Sequence, residues 1–218
     1  MRIRIDLKIF IFLLLFILTR QIEIYAAMMI FAIIHEIGHM FSGILLGLKI
    51  EKMELMPYGV SVSFGLTTKD YNNKIKKGNL LELKKIVVAI AGPLTNLLIA
   101  VITYYFNIDE ELKSLIVYSN ILLILFNLLP IYPLDGGRIL KSILHILFGK
   151  KTSEKYINNI SFVLLLFLTF VSSIAIIYLR NIAIFLIILF LWIMYIREDK
   201  IYRRKENIYK LLEKNSWK

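Results

Sequence analysis

Long uncharged apolar runs alternate along this chain with shorter segments rich in Lys and Arg. The runs fall at about 9–24, 25–48, 86–106, 113–130, 157–179 and 181–196. A helix rising about 1.5 Å per residue needs about 20 apolar residues to cross a hydrocarbon layer of about 30 Å, and most of the runs approach that length. The last is short, and the first is interrupted by Arg20 and Glu23. The pattern predicts an all-α polytopic membrane protein of about six transmembrane helices. One stretch has another period. From Pro57 to Thr67, apolar and small polar residues alternate, with Gly59 and Gly65 near the ends. Period two bounded by Pro and Gly predicts a small β-hairpin-like, membrane-associated segment at about 57–67.

Composition agrees: 58% of the 218 residues are apolar, beyond what a soluble domain with such runs carries. The basic residues orient the spans. With a cytoplasmic N-terminus, the inside segments 1–8, 49–85, 131–156 and 197–218 hold 24 of the 27 Lys and Arg. The outside loops keep only Arg20, Lys113 and Arg180, beside Glu23, Asp109, Glu110 and Glu111. The positive-inside rule therefore places both termini in the cytoplasm. The net charge of +11 is then a topology signal that also favours anionic lipids, and no basic-aromatic module points to nucleic acid. Residues 1–196 read as one six-span domain and 197–218 as a basic tail or linker stub, its Ile201, Ile208, Leu211 and Leu212 suggesting an interfacial amphipathic helix. The N-terminal run lacks a small-x-small cleavage site and reads as a retained signal anchor. Cysteine is absent, which excludes disulfides, thiolate metal sites and cysteine nucleophiles.

The second run carries His35-Glu36-Ile37-Gly38-His39. Ionisable residues at bilayer depth are costly and normally serve a function. On a helix, His35 and His39 stand one above the other, about 6 Å apart along the axis. Two imidazoles so placed can converge on one zinc ion, while Glu36, about 100° round the helix, can act as general base on the attacking water. A catalytic zinc usually takes a third protein ligand. His145 is one candidate, though it sits among Ile, Leu and Phe, where a packed histidine is the plainer reading. Asp135 is the other, in Asn127-Leu128-Leu129-Pro130-Ile131-Tyr132-Pro133-Leu134-Asp135-Gly136-Gly137-Arg138. Pro130 and Pro133 break the fourth span, and irregular backbone at membrane depth is tolerated only where it is buried in protein or lines water. Taken alone, Asp135 could equally be the N-cap of a helix over 138–148; beside HExxH the ligand reading prevails. Gly38 lets a neighbouring span approach closely.

These segments, with Ala91-Gly92-Pro93-Leu94-Thr95-Asn96 in the third run, resemble the site-2 protease family of intramembrane zinc metalloproteases. The resemblance covers about residues 1–212 and is strongest to the sporulation stage IV FB type. It implies one catalytic zinc ion held by His35, His39 and Asp135, with Glu36 as the catalytic base. It also implies substrate contacts at Asn127 and Pro133. Val62 and Phe64, on the strand-like segment, could pair with an unwound substrate by β-addition. The substrate implied is a membrane-tethered pro-sigma factor (pro-sigma-K), cleaved on the mother-cell side at the outer forespore membrane. Inhibitory membrane proteins of the sporulation complex are the implied partners, and an oligomer stays open. The longer members carry a C-terminal CBS domain that has no counterpart before Lys218. Two rivals stand beside this reading. A CaaX-type membrane protease would need a ligating Glu or His on a later helix, and no Glu stands in spans four to six. A non-catalytic scaffold or transporter would not need Glu36, and no inverted repeat supports transport.

Overall fold

The run that carries His35 folds as a helix, α1, Ile22–Leu45. Gly47 ends it with a positive φ of 75°, a conformation that costs glycine nothing. Leu48 N–H then bonds the Gly43 carbonyl and Gly47 N–H the Ile44 carbonyl, both at 2.9 Å, the Schellman pattern that satisfies a helix's last carbonyls. The chain passes directly into a sheet. The computed structural model describes residues 2–5, 22–56, 59–65, 75–179 and 182–215. Most of the predicted span 9–24 lies outside the described residues, as do Pro57, Tyr58, Leu66 and Thr67 of the predicted hairpin segment.

The chain divides into two units, Met1–Leu128 and Leu129–Lys218. In the first, strands β1 (Arg2–Ile5), β2 (Lys49–Met56) and β3 (Gly59–Gly65) form a sheet in the order β1-β2-β3. β1 runs parallel to β2, and β2 antiparallel to β3 with Met53 opposite Val62. The period-two stretch thus pairs back onto residues 49–56, and a third strand comes from the extreme N-terminus. Neither partner shows in the sequence pattern, because Lys49-Ile-Glu-Lys-Met-Glu-Leu-Met lacks turn punctuation and mixes charge with apolar residues.

Helices α2 (Ile75–Tyr105) and α3 (Glu110–Asn127) complete this unit. The Asp109 carboxylate caps α3 by accepting from Glu111 and Leu112 N–H at 3.1 and 3.2 Å, and Glu110 and Glu111 follow where the helix dipole favours negative charge. α1, α2 and α3 pack on one another, with β2 and β3 against α1. α1 and α2 approach closely at Gly38: a Cβ there would collide with Thr95 Oγ1, as the small residue in HEIGH predicts. Lys84 Nζ reaches the Leu46 carbonyl at 2.7 Å, placing a cation at the C-terminal end of α1.

The second unit holds α4 (Asp135–Phe148), α5 (Lys150–Leu179) and α6 (Ile182–Asn215). α4 packs on α5, and α5 on α6. Residues 197–215 form no separate interfacial helix: α6 continues through them. Helix-favouring Lys, Arg and Glu carry it on, with i,i+4 pairs between Arg203 and Asp199 (2.6 Å) and Lys210 and Glu206 (3.0 Å).

Large apolar side chains face outward across both units, among them Phe41, Leu98, Leu125, Phe167 and Phe170. Contiguous faces of this kind are untenable in water and are solvated by lipid tails. Among the described residues, three stretches are long and apolar enough to cross a membrane: Tyr25–Leu45, Asn79–Tyr105 and Lys150–Ile176. The protein is a mostly helical membrane protein. Gly38→Val is expected to force α1 from α2 and destabilise the fold by about 1–3 kcal/mol, read as a lower melting temperature in detergent. An unchanged transition would show that Thr95 yields instead.

Candidate metal centre

His35 and His39 are almost fully buried, at 3% and 2% exposure. Their Nε2 atoms face each other at 3.1 Å, with the rings 88° apart in orientation. The other nitrogen of His39 decides the tautomer. Nδ1 lies 2.6 Å from the Val88 carbonyl oxygen, which can only accept, so Nδ1 carries the proton and donates. The 3.2 Å approach of Gly92 N–H to the same nitrogen is then proximity rather than a second bond. Nε2 is left with its lone pair directed toward His35. Two nitrogens about 2.0–2.1 Å from one zinc at a tetrahedral angle stand about 3.3–3.4 Å apart, so the observed pair fits a metal with little adjustment. The Val88 carbonyl is the kind of outer partner that orients a ligating histidine.

Space for the rings comes from α2. A Cβ on Gly92 would collide with His39 Nε2 and Cε1 and with His35 Nε2. Only glycine lets this helix pass so close to both imidazoles. The Ala91-to-Asn96 motif quoted from the sequence thus contains a site residue that pattern reading left without a role. Glu36 follows His35 on α1 and is half-buried.

In the second unit, Asp135 is the first residue of α4 and 4% exposed. It is not the N-cap. That position is Leu134, which makes no side-chain capping bond, and the helix starts at 135 rather than 138. The N-cap alternative is therefore set aside. Asp135 instead keeps its carboxylate 3.6 Å from the Arg138 guanidinium. His35, His39 and Asp135 are all buried, two imidazoles and one carboxylate. This is a donor set suited to a catalytic zinc. His145, in the last turn of α4 and half-buried, is outside that set. The substrate-binding candidates fall on separate elements: Asn127 is the last residue of α3, Val62 and Phe64 lie on β3, and Pro133 in the loop before α4.

Peptidase family M50 is matched over residues 23–111 and 107–171. The chain belongs to peptidase family M50. As an M50 chain it is 32% identical over 144 residues to zinc metalloprotease MJ0392 of Methanocaldococcus jannaschii, covering 63% of this chain and 39% of that protein. It is 27% identical over 138 residues to stage IV sporulation protein FB of Bacillus subtilis, covering 62% and 43%. The chain thus matches about two-fifths of the length of these curated relatives. The solved site-2 protease from Methanocaldococcus jannaschii superposes with a TM-score of 0.65 at 26% identity, over 90% of this chain and 89% of that one. Zinc is the cofactor of this M50 family. Gly92→Ala is expected to displace the imidazoles and lower bound zinc at least tenfold, as losses around ligating histidines do, with helix content retained. Stoichiometric zinc in the purified variant would show that the rings can move aside.

Proposed function

We propose that this M50 chain is an intramembrane zinc endopeptidase of site-2 type that hydrolyses a peptide bond within or near a membrane-associated segment of its substrate. The observation that carries the reading is the pair of buried Nε2 atoms 3.1 Å apart on a helix apolar enough to span a bilayer, with Glu36 beside them. His35 and His39 would hold the metal, and Asp135 would supply the third ligand. When bound, zinc polarises the scissile carbonyl and makes water a better nucleophile near neutral pH. Glu36 accepts the proton of the attacking water on its carboxylate and returns it to the nitrogen of the leaving amine. Arg138 orients Asp135 through their ion pair. Asn127 and Pro133 are each assigned a contact with the substrate's main chain.

A helical substrate must unwind before its carbonyls can be attacked, because they are already hydrogen-bonded. β3 is an edge strand in the order β1-β2-β3, and its outer edge offers backbone groups to an unwound segment by strand addition. The proposed layout has six spans, with the sheet and the basic stretch of α6 on the cytoplasmic side, where Lys200, Arg203 and Arg204 attract anionic lipid. Similarity to the sporulation protein supports a membrane-tethered pro-sigma factor as substrate and inhibitory membrane proteins as partners.

Co-expression with a candidate pro-sigma factor tests the reading by substrate size. Glu36→Gln is expected to abolish cleavage while zinc content stays near wild type, since glutamine keeps the shape but cannot carry the proton. Near-normal processing by that variant would end the mechanism. Asp135→Asn should lower zinc content and activity together, and His145→Ala should spare both; the opposite result would move the third ligand to His145. Proline at Val62 or Phe64 removes an amide from the strand. If substrate adds to β3, turnover should fall sharply at normal zinc content, whereas untouched cleavage would reduce β3 to a structural strand.

A further inference from the structure

Ser161 stands on α5 with 1% of its surface exposed, and its hydroxyl uses both of its hydrogen-bonding roles. It donates to the Ile157 carbonyl one turn back at 2.7 Å, an ordinary way for serine to be satisfied inside a helix. It also accepts the Tyr132 backbone N–H at 3.0 Å. A hydroxyl has a single hydrogen, so giving it to Ile157 leaves the lone pairs to meet Tyr132. The second bond reaches the irregular loop that ends at Asp135, three residues on.

The same stretch of loop is held from the other side. A Cβ on Gly137 would collide with the Ile131 carbonyl and with Tyr132 N, so the first turn of α4 lies directly against this backbone. Ile131 is itself 1% exposed, and the Lys141 ammonium sits 4.1 Å from the centre of the Tyr132 ring. An open cleft lies beside the loop, lined by Tyr132, Lys141 and Ser161 together with residues of α6. Without the serine hydroxyl, the part-buried Tyr132 N–H would lose this partner and the loop could shift toward the cleft to find another.

We infer that Ser161 is a positioning residue for the metal centre, fixing the Tyr132 backbone and with it the place of the Asp135 carboxylate. The inference rests on Asp135 being a ligand. Partners outside the ligand shell commonly change metal affinity by about 10–100-fold, and Ser161 acts through backbone, so the lower end is expected.

The test uses the full chain, purified with zinc in detergent. Zinc release into a chelator is followed by metal analysis, beside the melting temperature. Ser161→Ala should release zinc about tenfold faster than wild type, and Ser161→Thr, which keeps the hydroxyl, should restore retention. Ser172→Ala is the matched control, because Ser172 is a buried serine on the same helix that donates to the Thr169 carbonyl at 2.9 Å. Should the alanine variant fail to fold, Ser161→Cys keeps most of the volume with a weak acceptor and is read the same way. Wild-type retention in Ser161→Ala, or equally fast release from Ser172→Ala, would overturn the inference. Asp135→Ala separates the two levels. If that variant also retains zinc, the ligand assignment fails; if it loses zinc while Ser161→Ala does not, only the positioning role falls.

Discussion

Two imidazoles with 2–3% exposure inside a membrane helix are the constraint around which the first unit is arranged. A polar group taken out of water must be given partners, because the penalty for leaving one unmet in an apolar medium is several times the gain from a typical hydrogen bond. Here the protein gives His39 Nδ1 a carbonyl from α2 at 2.6 Å and leaves Nε2 toward its neighbour. That arrangement requires α2 to lie almost in contact with α1. Small side chains make it feasible at two heights, Gly38 against Thr95 and Gly92 against the rings. Between membrane helices, where lipid competes on equal terms for apolar surface, such close backbone contact is also what holds helices together. The same glycines thus serve packing and chemistry.

The carboxylate on the second unit is held by different means. Asp135 opens α4 at a point where no side chain caps the helix, and the preceding loop runs through Pro130 and Pro133. Proline removes backbone donors, and the loop carbonyls and amides that remain must find partners within protein. Some do so locally, Leu134 N–H on the Ile131 carbonyl and Arg138 N–H on the Leu134 carbonyl, each at 2.9 Å. Tyr132 N–H reaches a serine 29 residues away instead. The partners these amides find also limit where the Asp135 carboxylate can go.

The parts of this protein legible in its sequence are those written in local spacing. HEIGH set two histidines and a glutamate on one helix, and the apolar runs announced the helices, although α3 starts at Glu110 rather than 113 and α5 at Lys150 rather than 157. Charged residues such as Lys150, Lys151 and Lys155 hide the first turns of a helix from a hydropathy reading while favouring the helix itself. What stayed hidden depends on distant pairing. No spacing rule joins Arg2–Ile5 to Lys49–Met56, nor Ser161 to Tyr132, nor reveals that Gly92 rather than its neighbours faces the rings. Asp135 was readable as ligand or cap, and the helix start at 135 removes the cap.

The exposures of the HEIGH residues also make chemical sense together. A ligand benefits from being dry, since low dielectric strengthens its hold on a cation and no water competes for the lone pair. A general base has the opposite need: it must meet water, exchange a proton and return to its charged form each turnover. His35 and His39 are buried and Glu36, one residue along and about 100° round, is half-buried. A helix is the element that can meet both needs within five residues. Its i,i+4 face turns both imidazoles inward, and its pitch puts the intervening carboxylate at the boundary of the dry region. In a bilayer that boundary must be made by protein, because lipid supplies no water at that depth.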